Sequence, residues 1–318
     1  MTRVAVLDDY QDVALQMADW NALPDDVEVQ VFRDHLKDTD AVAKRLRDFD
    51  IVVAMRERTP FNRALLEQLP NLRLLITTGM RNASIDTQAA IDCGVTVCGT
   101  EGLGYPTAEL TWGLILALLR QIPREDQATR QGHWQVSTGV GLNGKTLGLI
   151  GLGRLGSQVA TVGKAFQMKL LAWSQNLTAE RAAEYGATLV SKDELLAQSD
   201  VVSIHLILSD RTRGLLGARE LALMKPSAYL INTSRGPIVD EAALIQALQQ
   251  KTISGAGLDV FDDEPLPLDH PLRHLENIVI TPHLGYVTNE GYRVFYGHAV
   301  EDIQAFLNGD PVRVIGAP

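Results

Sequence analysis

Cysteine is scarce in this chain of 318 residues, which contains Cys93, Cys98 and no others. Neither has a histidine near it at the spacing of a zinc-ligand set, so we expect no structural metal and no disulfide framework. Both are expected to be buried, reduced thiols, as is typical of a cytosolic protein. Long apolar runs are also missing, because the longest, residues 112–119, is far shorter than the ~20 residues that span a bilayer.

Positive charge is in deficit. The 29 lysines and arginines are outnumbered by 39 aspartates and glutamates, which leaves a net charge of −10. This balance argues against a surface for nucleic acid or anionic membranes, although it is compatible with local basic pockets. The chain starts with a short apolar stretch that ends in two aspartates, so we expect no signal peptide and a cytoplasmic location.

Apolar, β-branched runs that alternate with helical stretches are the main organising pattern of the sequence. Strands this apolar are typical of parallel sheets that helices cover on both faces. The chain is longer than the ~250–300 residues at which single cores stop growing, so we expect two domains. The predicted fold class is α/β, with two doubly wound parallel-sheet domains. The predicted strands are residues 4–7, 51–54, 72–77, 95–97, 146–150, 169–173, 201–205, 228–232, 255–260 and 278–281.

The run Gly-Leu-Gly-Arg-Leu-Gly at residues 151–156 follows a predicted strand and opens a predicted helix. In that context the three glycines are typical of a dinucleotide site. Gly151 allows the tight turn, Gly153 lets the backbone approach a pyrophosphate, and Gly156 lets the helix pack closely on the strand. The phosphates would lie against the unpaired N–H groups at the positive end of that helix.

This fingerprint normally opens its domain, so the residues that precede it form a separate unit. We predict a Rossmann dinucleotide-binding domain over residues 101–286 and a flavodoxin-like domain over residues 1–100 plus 287–318. Residues 107–120 are apolar nearly all round, which predicts a buried helix at a junction between domains or subunits.

Three polar side chains fall at or just past the carboxyl ends of predicted strands, where open α/β sheets bind their ligands. They are Arg235, Glu264 and His283. A guanidinium can hold a carboxylate and polarise a carbonyl, and an imidazole can move a proton near neutral pH. A carboxylate beside the imidazole orients the ring and favours its charged form. Hydride transfer to a 2-keto acid requires this set of groups.

Several motifs occur together in a specific order. They are the glycine fingerprint, Ser-Asp-Val-Val-Ser-Ile-His at 199–205, Leu-Ile-Asn-Thr-Ser-Arg-Gly at 230–236, Gly-Leu-Asp-Val at 257–260, Glu-Pro at 264–265 and Thr-Pro-His at 281–283. Over nearly its whole length the chain resembles the D-isomer-specific 2-hydroxyacid dehydrogenases. The resemblance implies an enzyme that transfers a hydride between a nicotinamide cofactor and a small D-2-hydroxy acid or 2-keto acid.

The resemblance also implies roles for single residues. Arg235 would bind and activate the substrate, His283 would be the acid/base, and Glu264 would be the partner of His283. Asp259 matches the aspartate that neighbours the nicotinamide carboxamide. The full set of implied cofactor-binding residues is Gly151, Gly153, Arg154, Leu155, Gly156, Ser174, Thr233 and Asp259.

In the family the first domain binds the substrate, and a loop matching residues 77–86 presents backbone N–H groups to the substrate carboxylate. Met80 lies in this loop, where Arg81 replaces the usual second glycine, and Arg56 aligns with a position that is often near the substrate. Tyr286 is bulkier than the residue of many relatives and is expected to wall the substrate pocket. Arg56 and Arg81 either face a distal anionic group or are solvated, and the sequence favours neither.

Ser174 occupies the position at which NAD enzymes of this kind carry an aspartate about 20 residues after the glycines. A carboxylate there would repel a 2′-phosphate, and an adjacent Arg or Lys would attract one. The segment has neither, so we expect weak discrimination and use of NAD(H) or NADP(H).

Two other functions are compatible with the fold. One is an NAD(H)-sensing binding protein, and the other is a dehydrogenase of the formate or phosphite type. The complete set of arginine, glutamate and histidine favours the 2-hydroxyacid enzyme.

Residues 107–120 and 122–141, with Trp134, match the region through which the family dimerises, so the expected partners are a small-molecule substrate and a second copy of the chain.

Overall fold

The computed structural model describes residues 1–316. The strands are β1 Thr2–Val6, β2 Val27–Val31, β3 Ile51–Ala54, β4 Leu74–Thr77, β5 Thr96–Gly99, β6 Thr146–Ile150, β7 Lys169–Trp173, β8 Ala187–Leu189, β9 Val201–Ile204, β10 Tyr229–Asn232, β11 Gly255–Leu258 and β12 Ile278–Ile280. The α-helices are α1 Ala14–Met17, α2 Thr39–Leu46, α3 Arg63–Leu66, α4 Thr87–Asp92, α5 Pro106–Leu119, α6 Ile122–Arg130, α7 Arg154–Ala165, α8 Ala179–Glu184, α9 Lys192–Gln198, α10 Ala218–Leu223, α11 Glu241–Gln249 and α12 Asn289–Leu307.

The chain divides into two compact units. The first consists of Met1–Leu103 and the chain from Thr288 onward, and the second is Gly104–Val287. The first unit contains a five-stranded parallel sheet in the order β2-β1-β3-β4-β5. This is the flavodoxin-like order, in which the direction of winding reverses between β1 and β3.

The central strands of the first unit are completely buried, because helices cover both faces of its sheet. Ile51–Ala54 and Leu74–Thr77 expose none of their residues, which explains why their sequences are continuous apolar runs. The core beneath them is formed by the apolar faces of α2, α3 and α4, with Leu46, Leu65 and Ala89 at its centre.

The second unit contains a seven-stranded parallel sheet in the order β12-β11-β10-β9-β6-β7-β8. The direction of winding reverses between β6 and β9, where the glycine turn follows β6. Two buried clusters lie on the opposite faces of this sheet, since the adjacent residues Leu230 and Ile231 of β10 belong to different clusters. One cluster contains α9, α10 and α11, and the other contains α5 and α7.

The predicted fold class is confirmed: both sheets are parallel and both are wound in two directions. The sequence did not predict β2 and β8, which are the outermost strands at one edge of each sheet. Edge strands lack the continuous apolar run of a central strand, as the half-buried and exposed alternation of Val27–Val31 shows.

The expectation of two buried thiols is wrong for Cys93, which is exposed at the end of α4, and correct for Cys98.

Within residues 1–316, no helix combines the length and apolarity needed to cross a membrane.

Candidate active site

The glycine turn joins β6 to α7 at the point where the second sheet reverses. Gly151 has φ +101°, and a Cβ on it would lie 2.5 Å from the carbonyl oxygen of His205. A Cβ on Gly156 would lie 2.1 Å from the carbonyl oxygen of Gly151. Only glycine fits either position, because both close neighbours are backbone atoms.

Gly153 differs from the other two glycines of the turn. Among the described residues nothing lies within 4 Å of the position a Cβ would take, so the space beside the backbone is open. No described side chain caps the helix that begins at Arg154, which leaves the first N–H groups of α7 available. A turn with open space and unpaired N–H groups fits a pyrophosphate.

Arg154 and Gln158 attach this helix to the chain just before α5. The Gln158 amide donates to the carbonyl oxygen of Gly104 at 2.9 Å. A Cβ on Gly104 would lie 3.3 Å from the Arg154 guanidinium, so the guanidinium packs against that glycine. Ser174, predicted to lie beside the adenosine ribose, directly follows β7 and is half-buried.

Arg235 lies on a loop that the side chain of Asn232 shapes. The Asn232 Oδ1 atom accepts a hydrogen bond from the Ser234 backbone N–H at 3.0 Å, and its Nδ2 atom donates to the Arg235 carbonyl at 3.0 Å. The Ser234 hydroxyl donates to the carbonyl oxygen of Ile204 at the end of β9. A Cβ on Gly236 would lie 2.2 Å from the Phe261 backbone, so the loop also packs tightly on the segment that follows β11.

His283 and Glu264 are in direct contact. The His283 Nδ1 atom lies 2.6 Å from Glu264 Oε2, and Glu264 Oε1 accepts the Phe261 N–H at 2.9 Å. An ionised carboxylate only accepts hydrogen bonds, so Nδ1 carries the proton and Nε2 is the remaining ring nitrogen. The Tyr286 ring packs edge-on against the imidazole, with 5.5 Å between ring centroids.

Asp259 is completely buried and holds the loop that carries His283. Its carboxylate accepts hydrogen bonds from the Thr281 hydroxyl at 2.5 Å and from the N–H groups of Leu284 at 2.7 Å and Gly285 at 2.8 Å. Burial raises the pKa of Asp259, and these hydrogen bonds oppose that shift. The loop is therefore fixed on both sides of the histidine.

His205 is close to the glycine turn but has a different environment. Burial lowers the pKa of its imidazole to about 4, and Nε2 lies 2.9 Å from the Ser203 hydroxyl. This ring is neutral near pH 7, which suits a packed residue at a strand end rather than an acid/base.

The residues predicted to face the substrate in the first unit occupy two adjoining loops. The Arg56 guanidinium donates to the Thr78 carbonyl at 3.0 Å, and it fills the space beside Gly79, where a Cβ would lie 1.9 Å from Arg56 Nη1. Arg56 is therefore held against the loop that contains Met80. Met80 and Arg81 are both exposed.

Three contributions to this geometry were not predicted from the sequence. Asn232 and Ser234 shape the arginine loop, and Thr281 binds the buried carboxylate. Their only sequence signal is that each is a polar residue inside or next to a motif at the end of a strand.

Comparison with known proteins identifies the family. The pattern described as "D-isomer specific 2-hydroxyacid dehydrogenase, NAD binding domain" matches residues 112–285, more than half of the chain. The chain is 43% identical over 255 residues to a glyoxylate reductase of Aeropyrum pernix, an alignment that covers 77% of this chain and 76% of that protein.

Solved structures agree with this match. A putative D-3-phosphoglycerate dehydrogenase from Ralstonia solanacearum has a TM-score of 0.93 and 38% identity, with coverage of 100% of this chain and 99% of that one. A D-lactate dehydrogenase from Aquifex aeolicus, complexed with NAD and lactic acid, has a TM-score of 0.80 and 28% identity, with coverage of 99% of each chain.

The chain therefore belongs to the D-isomer specific 2-hydroxyacid dehydrogenase family. It is an NAD-linked oxidoreductase of hydroxy acids and keto acids, as the sequence motifs predicted.

Proposed function

We propose that this enzyme reduces a small 2-keto acid to the D-2-hydroxy acid, with Arg235, Glu264 and His283 as its catalytic residues. The observation that carries the proposal is the 2.6 Å contact between His283 Nδ1 and Glu264 Oε2. It fixes one ring nitrogen on a carboxylate and leaves Nε2 for the substrate, which is the arrangement of a general acid.

The proton is delivered by His283. A nicotinamide cofactor held at the glycine turn would supply the hydride. The imidazolium gives its Nε2 proton to the carbonyl oxygen of the substrate. Glu264 stabilises the imidazolium through Nδ1, and the Phe261 N–H holds the carboxylate in place. In the direction of oxidation the same nitrogen takes the hydroxyl proton back.

Arg235 binds the carboxylate of the keto acid and polarises the adjacent carbonyl. A guanidinium suits both tasks because it is always charged and presents its donors as a planar fork. The Asn232 bonds fix the main chain on which Arg235 lies, so less of its binding energy is lost to ordering the loop.

The cofactor would be held by Gly151, Gly153 and the first turn of α7 at its phosphates, with Ser174 beside the adenosine ribose. Thr233 and Asp259 complete the set of cofactor-binding residues. Because Ser174 is neutral, we propose that NADH and NADPH are both used.

The first unit is proposed to bind the substrate. Arg56 is held against the loop of Gly79 and Met80, which supports a role for this loop in binding the anionic end of the keto acid. Arg81 on that loop is a further proposed substrate residue of the first unit. In the second unit, Tyr286 packs against the His283 ring and is proposed to wall the substrate pocket there.

The enzyme is proposed to act as a homodimer without nucleic acid or membrane partners. Apolar side chains are exposed at the start of α6, where Ile122 lies, and in the segment after α6, where Trp134 and Val136 lie. Exposed apolar surface of this kind is typical of subunit interfaces. The cytoplasmic location stays a prediction.

The test is steady oxidation of NADH and NADPH against a panel of small 2-keto acids, including glyoxylate, pyruvate and hydroxypyruvate. We expect turnover of at least one of them, with the D-hydroxy acid as product. Cofactor binding, measured by fluorescence, without turnover of any panel member would contradict the proposal and favour a cofactor sensor.

A further inference from the structure

Thr111 of helix α5 is completely buried and makes two hydroxyl contacts. Its Oγ1 atom lies 2.8 Å from the carbonyl oxygen of Thr107 and 2.8 Å from the Oγ1 atom of Thr233. The first contact, within one helix, is ordinary for threonine. The second is not, because it joins the helix to the loop that follows strand β10.

The direction of these hydrogen bonds follows from the count of protons. A carbonyl oxygen can only accept, so the single hydroxyl proton of Thr111 goes to Thr107. The Thr111 oxygen must then accept the proton of Thr233. The three groups form a directed chain from Thr233 to Thr111 to the main chain of Thr107.

Each end of this chain lies beside a proposed catalytic loop. Thr233 is two residues before Arg235. At the other end the Thr107 hydroxyl donates to the carbonyl of Gly285 at 2.8 Å, two residues after His283.

Gly285 itself is in close contact with two side chains. A Cβ on Gly285 would lie 3.2 Å from Thr107 Oγ1 and 3.1 Å from Asp259 Oδ2. Helix α5 therefore contacts the histidine loop directly, through one hydrogen bond, beside the three hydrogen bonds of the buried aspartate.

We propose that Thr111 is a positioning residue. It fixes the position of the loop that carries Arg235, residues 233–236, relative to the loop that carries His283, residues 281–285. The inference rests on the proposed function, in which Arg235 and His283 act on two ends of one small molecule. Small displacements of either group lower the reaction rate, since a shift of about 1 Å can reduce it on the order of 10²-fold. Thr111 contacts neither substrate nor cofactor in this role and acts through the two loops.

The test compares Thr111→Val, which removes the hydroxyl at nearly constant shape, with Thr111→Ser, which keeps it. We expect the valine enzyme to lose about tenfold in kcat and the serine enzyme to stay within about threefold of wild type. The dissociation constant for NADH, measured by fluorescence titration, should change less than about twofold in both. Thr161→Val is the control for loss of the helical bond alone, because the exposed Thr161 of α7 makes the same bond to the carbonyl four residues back.

Three results would overturn the proposal. One is a valine enzyme with kcat within twofold of wild type, and another is a serine enzyme that loses as much as the valine enzyme. The third is a loss confined to NADH affinity, which would make Thr111 a support for the cofactor.

A second measurement does not depend on turnover and separates this proposal from the proposed function. Unfolding of Thr111→Val, Thr233→Val and the double variant in denaturant reports whether the two hydroxyls interact. We expect the double variant to be destabilised by less than the sum of the single variants. Additive effects would refute the hydroxyl chain even if the wild type reduces keto acids, and non-additive effects would support it even if the panel shows no substrate.

If Thr111→Val does not fold, Thr107→Val against Thr107→Ser tests the other end of the chain with the same expected kinetics.

Discussion

His283 has φ +55°, a left-handed backbone conformation that is uncommon for residues other than glycine. Three hydrogen bonds to Asp259, from Thr281, Leu284 and Gly285, hold the loop in this conformation. Backbone strain of this kind persists where the surroundings over-determine it, and it often accompanies a functional side chain. The orientation of the imidazole is thus set by its own backbone as well as by Glu264.

At Glu264 we predict a change in the pH dependence of reduction. Glu264→Gln removes the negative charge beside Nδ1, so the protonated imidazole loses its charge partner. The limb of the kcat/KM profile for reduction that falls with rising pH should move toward acid. Asp263→Asn is the control, because it neutralises an exposed acid of the same loop. A profile that is the same in Glu264→Gln and wild type would remove the assigned role of Glu264.

At Ser174 the prediction concerns cofactor choice. The neutral side chain does not repel a 2′-phosphate, so wild-type kcat/KM for NADH and NADPH should agree within roughly tenfold, about 1.4 kcal/mol. Ser174→Asp should penalise NADPH selectively, while Ser174→Asn should change the ratio little. A wild-type enzyme that already rejects NADPH by a thousandfold would show that other groups discriminate.

At the scale of elements, the turn between β6 and α7 combines two different uses of glycine. Gly156 is required by packing, since a side chain there meets the Gly151 backbone. Gly153 has φ −83° and open space beside it, so alanine fits the fold but occupies space the cofactor needs.

Replacing each of these glycines by alanine should therefore have distinguishable effects. Gly156→Ala should lower the free energy of unfolding by about 1–3 kcal/mol, as overpacking does, and weaken NADH binding. Gly153→Ala should weaken NADH binding with little effect on unfolding. Denaturant unfolding and fluorescence titration check both, and an equally destabilised Gly153→Ala would contradict the assignment of open space.

At the scale of the whole molecule, the exposed side chains of Ile122, Trp134 and Val136 predict self-association. Trp134 is 78% exposed, which is unusual for a tryptophan in a monomer. We expect a homodimer that buries more than ~2,000 Å², as obligate pairs do. Light scattering at micromolar concentration should give twice the monomer mass, and Trp134→Glu should lower it. A wild-type monomer mass under those conditions would refute the dimer.

Much of this architecture could be predicted from the sequence, because central parallel strands must be apolar and the glycine turn has a steric basis. The edge strands β2 and β8 could not be predicted, because both contain exposed and half-buried residues and neither has a continuous apolar run. In the active site the ionisable residues were found from their motifs, which carry the chemistry. The supporting hydroxyls of Thr111 and Thr281 were not, because a hydroxyl's role depends on which distant residue it meets.

The role of His283 as the proton donor is tested by the kcat of His283→Gln for keto acid reduction, measured beside His270→Gln. His270 belongs to a second imidazole–carboxylate pair of the same unit, 3.0 Å from Glu241, and has no proposed catalytic role. We predict a loss of ~10²–10⁴-fold in kcat for His283→Gln with NADH binding retained, and little change for His270→Gln. A His283→Gln enzyme with near-normal kcat would show that the proton comes from elsewhere and would contradict the catalytic assignment.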